Sequence, residues 1–350
     1  MTKTTNKRYM YIDLAKGLTM MTILWGHVML GGFSNIIVYA FHIPVFFFLS
    51  GMVFRIEKYP LFSEFLKRRV KTLLIPYMIF SAITWVWWIV DCLVNGTSID
   101  GSIRALAQTF IAQGSAGYMI HNPALWFVTC LFVVELLYYF ICKLSDKMNI
   151  LVCMALAVCG WLMMQPNGFL DFKALPWNIE VACAAVLFYS LGNLFSQKCS
   201  SYEVLATVRR KPYMVLGLIV ASFIVLCVGG YLNGSVTMAQ GVLGNNGFIF
   251  YINAVIGIIF VITSCLLLES IYGKMKMLDR VLDYFTWVGR NSFYMMVLHI
   301  PVMRICVKIV SVLSGQDINE LRYMYQYTFP AWIGMVVGSS MLILIIKKHS

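Results

Sequence analysis

Charge is scarce in this sequence. Only 12% of its 350 residues are Asp, Glu, Lys or Arg, against about a quarter in soluble domains, while 60% are hydrophobic and the mean hydropathy is +0.79. That excludes a soluble globular chain and calls for a polytopic membrane protein. Paired cysteines are missing too. The ten present form no Cys-x-x-Cys motif, and Cys130, Cys153, Cys159, Cys183 and Cys265 lie inside apolar runs. This argues against a disulfide framework or a zinc site and for cysteine as a small buried hydrophobe. No linker, low-complexity tract, soluble domain or internal repeat is visible, so residues 1–350 read as one domain. No small-residue cleavage pattern precedes the second apolar run, and Asp13 and Lys16 break the first, which is therefore expected to be retained rather than removed as a signal peptide.

What the sequence has is apolar length. Runs of about 20 residues, each long enough to cross a bilayer, fall at 10–30, 36–54, 71–93, 123–142, 148–165, 178–196, 212–231, 247–268, 284–311 and 327–346. The expected fold is an all-α integral membrane protein, a bundle of about ten transmembrane helices, the ninth long enough to be tilted or broken. Charge placement gives the orientation. Of the 27 lysines and arginines, Arg104, Lys173, Arg304, Lys308 and Arg322 fall at or beyond the outer ends if the N-terminus is cytoplasmic. Lys16 and Arg290 stand near the inner face, and the other twenty, Lys3, Lys7 and Arg8 among them, line inner segments, so both termini are expected in the cytoplasm. The net charge of +12 follows from the same bias, which favours anionic lipid and calls for no nucleic acid. The longest outer loop, 95–122, is rich in Gly, Ser, Gln and Ala and is expected to fold back over the bundle mouth as a lid.

Against this background the stretch from Tyr11 to Gly51 stands out, because it puts Asp13, Lys16, His27 and His42 into apolar helices. A central Asp or Lys costs about 2.5 to 3.5 kcal/mol on the insertion scale, so such residues ask for a function. At about 100° per residue, Lys16 and His27 lie within about 20° of each other and Asp13 within about 40° of His27. All three share one face, with His27 roughly 16 Å further along it than Lys16. His27, His42, His121 and His299 all fall in the outer half or at its edge, where several at one depth can share a polar cavity. His42 precedes Pro44, so satisfying backbone groups freed by that proline competes with a catalytic role. His299 also precedes a proline and reads as a packing residue. At the inner end, Lys67-Arg68-Arg69-x-Lys71 reads first as positive-inside anchoring. Together with Arg290-Asn291-Ser292 and Lys16 it also supplies basic groups on separate helices that can converge on an anionic ligand, arginine being suited to phosphate. Trp126-Phe127 and Pro176-Trp177 read as interfacial belt aromatics with no catalytic part.

These residues carry a resemblance. Ile-Asp13-x-x-Lys16, His27, Phe-His42-x-Pro44 running to Ser50-Gly51, Lys67-Arg68-Arg69 leading to Pro76-Tyr77, Leu125-Trp126-Phe127, Leu175-Pro176-Trp177, Phe188-Tyr189-Ser-Leu-Gly192 and Val288-Gly289-Arg290-Asn291-Ser292 followed by His299 resemble the acyltransferase-3 family of integral-membrane acyltransferases, in an O-acetyltransferase, fucose acetylase-like branch. Lys16 stands where the family has Arg, then ten residues, then its first-helix His, and the third-helix Arg-x-x-Arg reads Arg69-Val-Lys71-Thr72. The resemblance implies acyl-CoA, most simply acetyl-CoA, as donor, and a hydroxyl of an extracytoplasmic or lipid-linked carbohydrate as acceptor, with no metal, in a multi-pass protein of a bacterial cytoplasmic membrane surrounded by lipid. His27 would be the general base, since imidazole titrates near working pH. Asp13 and Lys16 would keep the stripe polar, His42 would share the catalytic level, and Arg68, Arg69, Lys71, Arg290, Asn291 and Ser292 would hold the donor. A transient acyl-histidine is an alternative route. The rivals from other classes are a secondary transporter of a sugar, lipid precursor or organic anion, and a non-catalytic scaffold. Against the transporter, the basic residues cluster at one end and no paired broken helices occur in two halves.

Overall fold

The computed structural model describes residues 9–114, 117–165 and 175–349; Lys3, Lys7, Arg8 and Lys173, which entered the charge argument, lie outside them. In chain order the helices are α1 (Met10–Val28), α2 (Gly32–Val53), α3 (Phe62–Arg69), α4 (Ile75–Val94), α5 (Ser102–Ile111), α6 (Trp126–Ile141), α7 (Asp146–Met163), α8 (Ile179–Lys198), α9 (Ser201–Arg210), α10 (Pro212–Asn233), α11 (Gly247–Ile271), α12 (Lys276–Arg290), α13 (Ser292–Ser314), α14 (Ile318–Leu321) and α15 (Tyr325–His349). Among the described residues no strand forms, only a single antiparallel bridge between Thr237 and Val242. Among the described residues, nine helices are long and apolar enough to cross a membrane. α1, 19 residues long, is absent from those nine, because Asp13, Lys16 and His27 depress its hydropathy. It is nevertheless central, packing against α2, α11, α12, α13 and α15. With it the described residues hold ten long helices, and the protein is an all-α integral membrane protein.

Two of the expected spans differ in outline. α3 and α4 are one helix of 33 residues, Phe62–Val94, continuous through a π-helical turn at Val70–Leu74, so the third span begins well before position 71. The ninth run, 284–311, is broken. Asn291 leaves helical geometry at φ −112° and ψ 17° and donates its side-chain amide to the Trp287 carbonyl at 2.7 Å, ending α12 and starting α13. α12 is amphipathic, with Lys276, Asp279, Arg280, Asp283 and Arg290 set against buried Leu282, Val288 and Gly289. The crossing therefore starts at Ser292, and Arg290 belongs to the helix before it.

Close packing fixes the helices that carry the polar residues. A Cβ at Gly17 of α1 would land on the Phe285 carbonyl of α12, and one at Gly289 of α12 on the Asp13 carbonyl of α1. α2 and α8 interlock the same way through Gly51 and Gly192. Without a hydrophobic drive between helices in lipid, such backbone approach is what holds a membrane bundle together. Part of the 95–122 loop lies back along the bundle. Trp85 of α4 donates to the Ser102 carbonyl at 2.8 Å and Tyr77, two turns earlier, to that of Thr109 at 2.5 Å, so α5 runs antiparallel along α4. Asn178 then accepts from the Gly114 amide at 3.0 Å and donates to the Ala112 carbonyl at 2.9 Å, pinning the segment after α5 to the start of α8.

Candidate active site

Three of the four outer histidines meet. His27 ends α1, and Arg322 holds that end by donating to the His27 carbonyl at 2.5 Å and the Val28 carbonyl at 3.1 Å, a cation placed on carbonyls that have no helical partner. His42 on α2 and His299 on α13 each sit in the same four residues, His-Ile-Pro-Val, and each bonds through Nδ1 to the carbonyl four residues back: Val38 at 2.6 Å and Met295 at 3.1 Å. A carbonyl only accepts, so Nδ1 carries the proton in both rings and Nε2 keeps its lone pair. The prolines free other carbonyls. Pro301 has no amide to give Val297, and Asn122 fills that place with a 2.8 Å bond, tying the cap to α13. His27 and His299 stand with ring centroids 4.9 Å apart. His42 lies edge-on to Tyr39 at 4.8 Å. His121 does not join them; it is buried in the cap, outside the cavity wall.

One cavity of about 410 Å³ connects these groups to the basic end of the bundle. Lys16, Ser50, Leu73 and Ser292 line it, as do His27, His42 and His299, with Gly114 and Thr237 to Gln240 from the loops at the far end. Its volume lies in the range of ordinary small-molecule sites. Lys16 and His27 thus share a face and a chamber, as the helical spacing requires. Trp126 and Phe127, expected as belt residues, also line the chamber, and Trp126 is buried. The Thr237–Gln240 stretch is held by its own bonds, Thr237 and Val242 exchanging amides at 2.8 and 3.1 Å, while Asn233 donates to the Leu243 carbonyl at 2.8 Å.

The remaining expected site residues take other positions. Asp13 is buried and accepts from Arg290 at 3.2 Å, joining α1 to α12 beside the Gly17 and Gly289 approach; it is not part of the cavity wall. Arg69 pairs with Glu135 of α6 at 2.9 Å and lies over the Phe65 ring at 5.1 Å. Arg68 and Lys71 are exposed, Asn291 is buried at the helix break, and Ser292 faces the cavity. His299, Ser50 and Glu135 are additions to the expected set. The repeated His-Ile-Pro-Val was the signal for His299; a pairing across helices such as Arg69 with Glu135 leaves none. Among the described residues no group of three His, Cys, Asp or Glu is arranged to hold a metal ion.

A largely apolar chamber with Lys16 at one end and histidine lone pairs at the other suits proton transfer from a bound hydroxyl. The family model described as an acyltransferase domain, acyltransferase-3, matches residues 9–347. The chain belongs to the acyltransferase-3 family. It is a multi-pass membrane acyltransferase, and its donor is an acyl compound. No curated protein and no solved structure matches the chain.

Proposed function

We propose that this acyltransferase moves an acetyl or other small acyl group from cytosolic acyl-CoA to a hydroxyl of an extracytoplasmic or lipid-linked carbohydrate, with His27 as general base. The observation that carries this reading is the single cavity joining Lys16 and Ser292 to His27, His42 and His299. Its volume suits a thioester arm and an acceptor hydroxyl rather than a whole coenzyme, so the nucleotide stays outside at the basic end. There Arg68 and Lys71 are exposed and available to phosphate, while Arg69, engaged by Glu135, holds the helix that presents them and Arg290, engaged by Asp13, joins α12 to α1. Asn291 sets the break from which Ser292 reaches the cavity. The excess of basic residues at that end supports placing it, and both termini, in the cytoplasm of a bacterial envelope membrane.

The acceptor oxygen attacks the thioester carbonyl carbon as His27 removes its proton; the carbon–sulfur bond then breaks, and the thiolate takes that proton from His27. Lys16, 16 Å or so nearer the basic end, supports the anionic donor rather than the reacting atoms. Walls of Phe46, Phe127 and Met296 limit water that would hydrolyse the thioester. The test is transfer from labelled acetyl-CoA to envelope glycans by purified protein. His27→Ala should fold in detergent yet lose about two to four decades of rate; transfer at the wild-type rate would remove His27 from the chemistry.

A further inference from the structure

We propose that His299 is the hydrogen-bond acceptor that orients His27 and stabilises its protonated form during transfer, a positioning residue resting on the reading of His27 as base. His299 is fully buried on α13, its Nδ1–H committed to the Met295 carbonyl at 3.1 Å. That bond fixes the tautomer, leaving Nε2 as a bare acceptor. Nε2 is shielded from solvent and, among the described residues, has no hydrogen-bond partner. Buried acceptors are rarely left so. The ring beside it is that of His27, centroids 4.9 Å apart and planes tilted by 48°, so rotating the His27 ring brings an N–H onto the lone pair. His27 is only partly buried, and both rings line the cavity. One His27 nitrogen can then face the acceptor hydroxyl while the other donates to His299.

This arrangement gives His299 the part that a buried carboxylate has in a catalytic triad, without adding a negative charge to an apolar chamber. The proton balance is unchanged. The hydroxyl proton goes to His27 and leaves with the thiolate; His299 neither gains nor loses one. His42 has the same Nδ1 bond, but its ring packs edge-on to Tyr39 instead, which sets it apart as a wall of the acceptor side.

Two substitutions separate this role from simple packing. His299→Asn keeps an amide N–H where Nδ1 meets Met295 but leaves nothing at the Nε2 position; His299→Gln places a carbonyl oxygen near Nε2. Release of CoA from acetyl-CoA by the purified full chain, with water or added methyl glycosides as acceptor, reads both. His299→Asn should lower kcat by about a hundredfold with KM for acetyl-CoA within about threefold, and His299→Gln should recover at least about tenfold of that loss. Wild-type kcat in His299→Asn, or equal loss in both variants, overturns the assignment. If His27→Ala turns over normally, it is the reading of His27 that fails; if His27→Ala is dead while His299→Asn is normal, only the His299 role falls.

Discussion

Arg69 Nε stands 2.9 Å from Glu135 Oε2, an ion pair whose side chains are 19% and 6% exposed. Tyr189 donates to the other Glu135 oxygen at 3.3 Å, so the carboxylate meets partners from two helices. Removing one partner strands a charge in an apolar interior. Arg69→Ala is expected to cost about 3–5 kcal/mol, and Arg69→Met with Glu135→Leu to restore most of it, because an apolar pair leaves nothing unpaired. Thermal unfolding in detergent measures both. Calorimetry should show acetyl-CoA affinity little changed in the paired variant, but about tenfold weaker, and more salt-sensitive, when Arg68 and Lys71 are both changed to Ala. A donor affinity lost in the paired variant alone would move Arg69 into direct contact with the donor.

Gly17 is expected to tolerate no side chain. Alanine there meets the Phe285 backbone, which a rotamer change cannot relieve, and would pry α1 from α12 and loosen the Asp13–Arg290 pair. A loss of about 1–3 kcal/mol is expected. Gly217 in α10 is the control, since a Cβ there meets nothing within 4 Å and alanine is the better helix former. Equal melting temperatures for Gly17→Ala and wild type would show that the close approach is dispensable.

His121 gives the cap a pH dependence. It is buried just ahead of the Pro123 turn, neither nitrogen has a hydrogen-bond partner among the described residues, and burial, with Arg304 nearby, pushes its pKa from 6.5 down to about 4. The unfolded chain therefore takes up the proton first. Stability is unaffected by this group above about pH 6.5 and falls as pH drops from there toward 4. His121→Leu should flatten the melting temperature over that window. An unchanged slope would assign the acid sensitivity to other groups.

Sidedness is testable in sealed vesicles of known orientation with a membrane-impermeant acceptor. Product is expected when acetyl-CoA is on the face bearing Lys67 to Lys71 and the acceptor on the other. Product formed only when both share the basic face would make the far-end histidines structural.

The stripe of Lys16 and His27 was legible because helical periodicity alone puts both on one face. That the ninth run could break was legible from its length, but the place of the break at Asn291 was not, since the end of α12 runs on into α13 and only the Asn291 backbone angles separate them. Hydropathy works against α1 for the reason that makes it interesting: its polar residues lower the score of the helix on which the site is built. Partners were the least legible. Arg290, far along the chain, reaches the Asp13 carboxylate, and the interhelical glycines that bring them together have no side-chain signature.

The eleven-residue step from Lys16 to His27 also makes α1 a ruler. A rigid helix fixes about 16 Å of axial rise between the backbone positions of the two residues, and no flexing of loops alters it. A donor whose anionic head and acyl carbon are separated by much less cannot touch both marks at once. On the proposed function, truncated thioesters that keep the acyl group but lack the head would reach the histidines only unanchored, so the chamber would measure the carrier, while the acyl group it delivers would be judged separately at the far end.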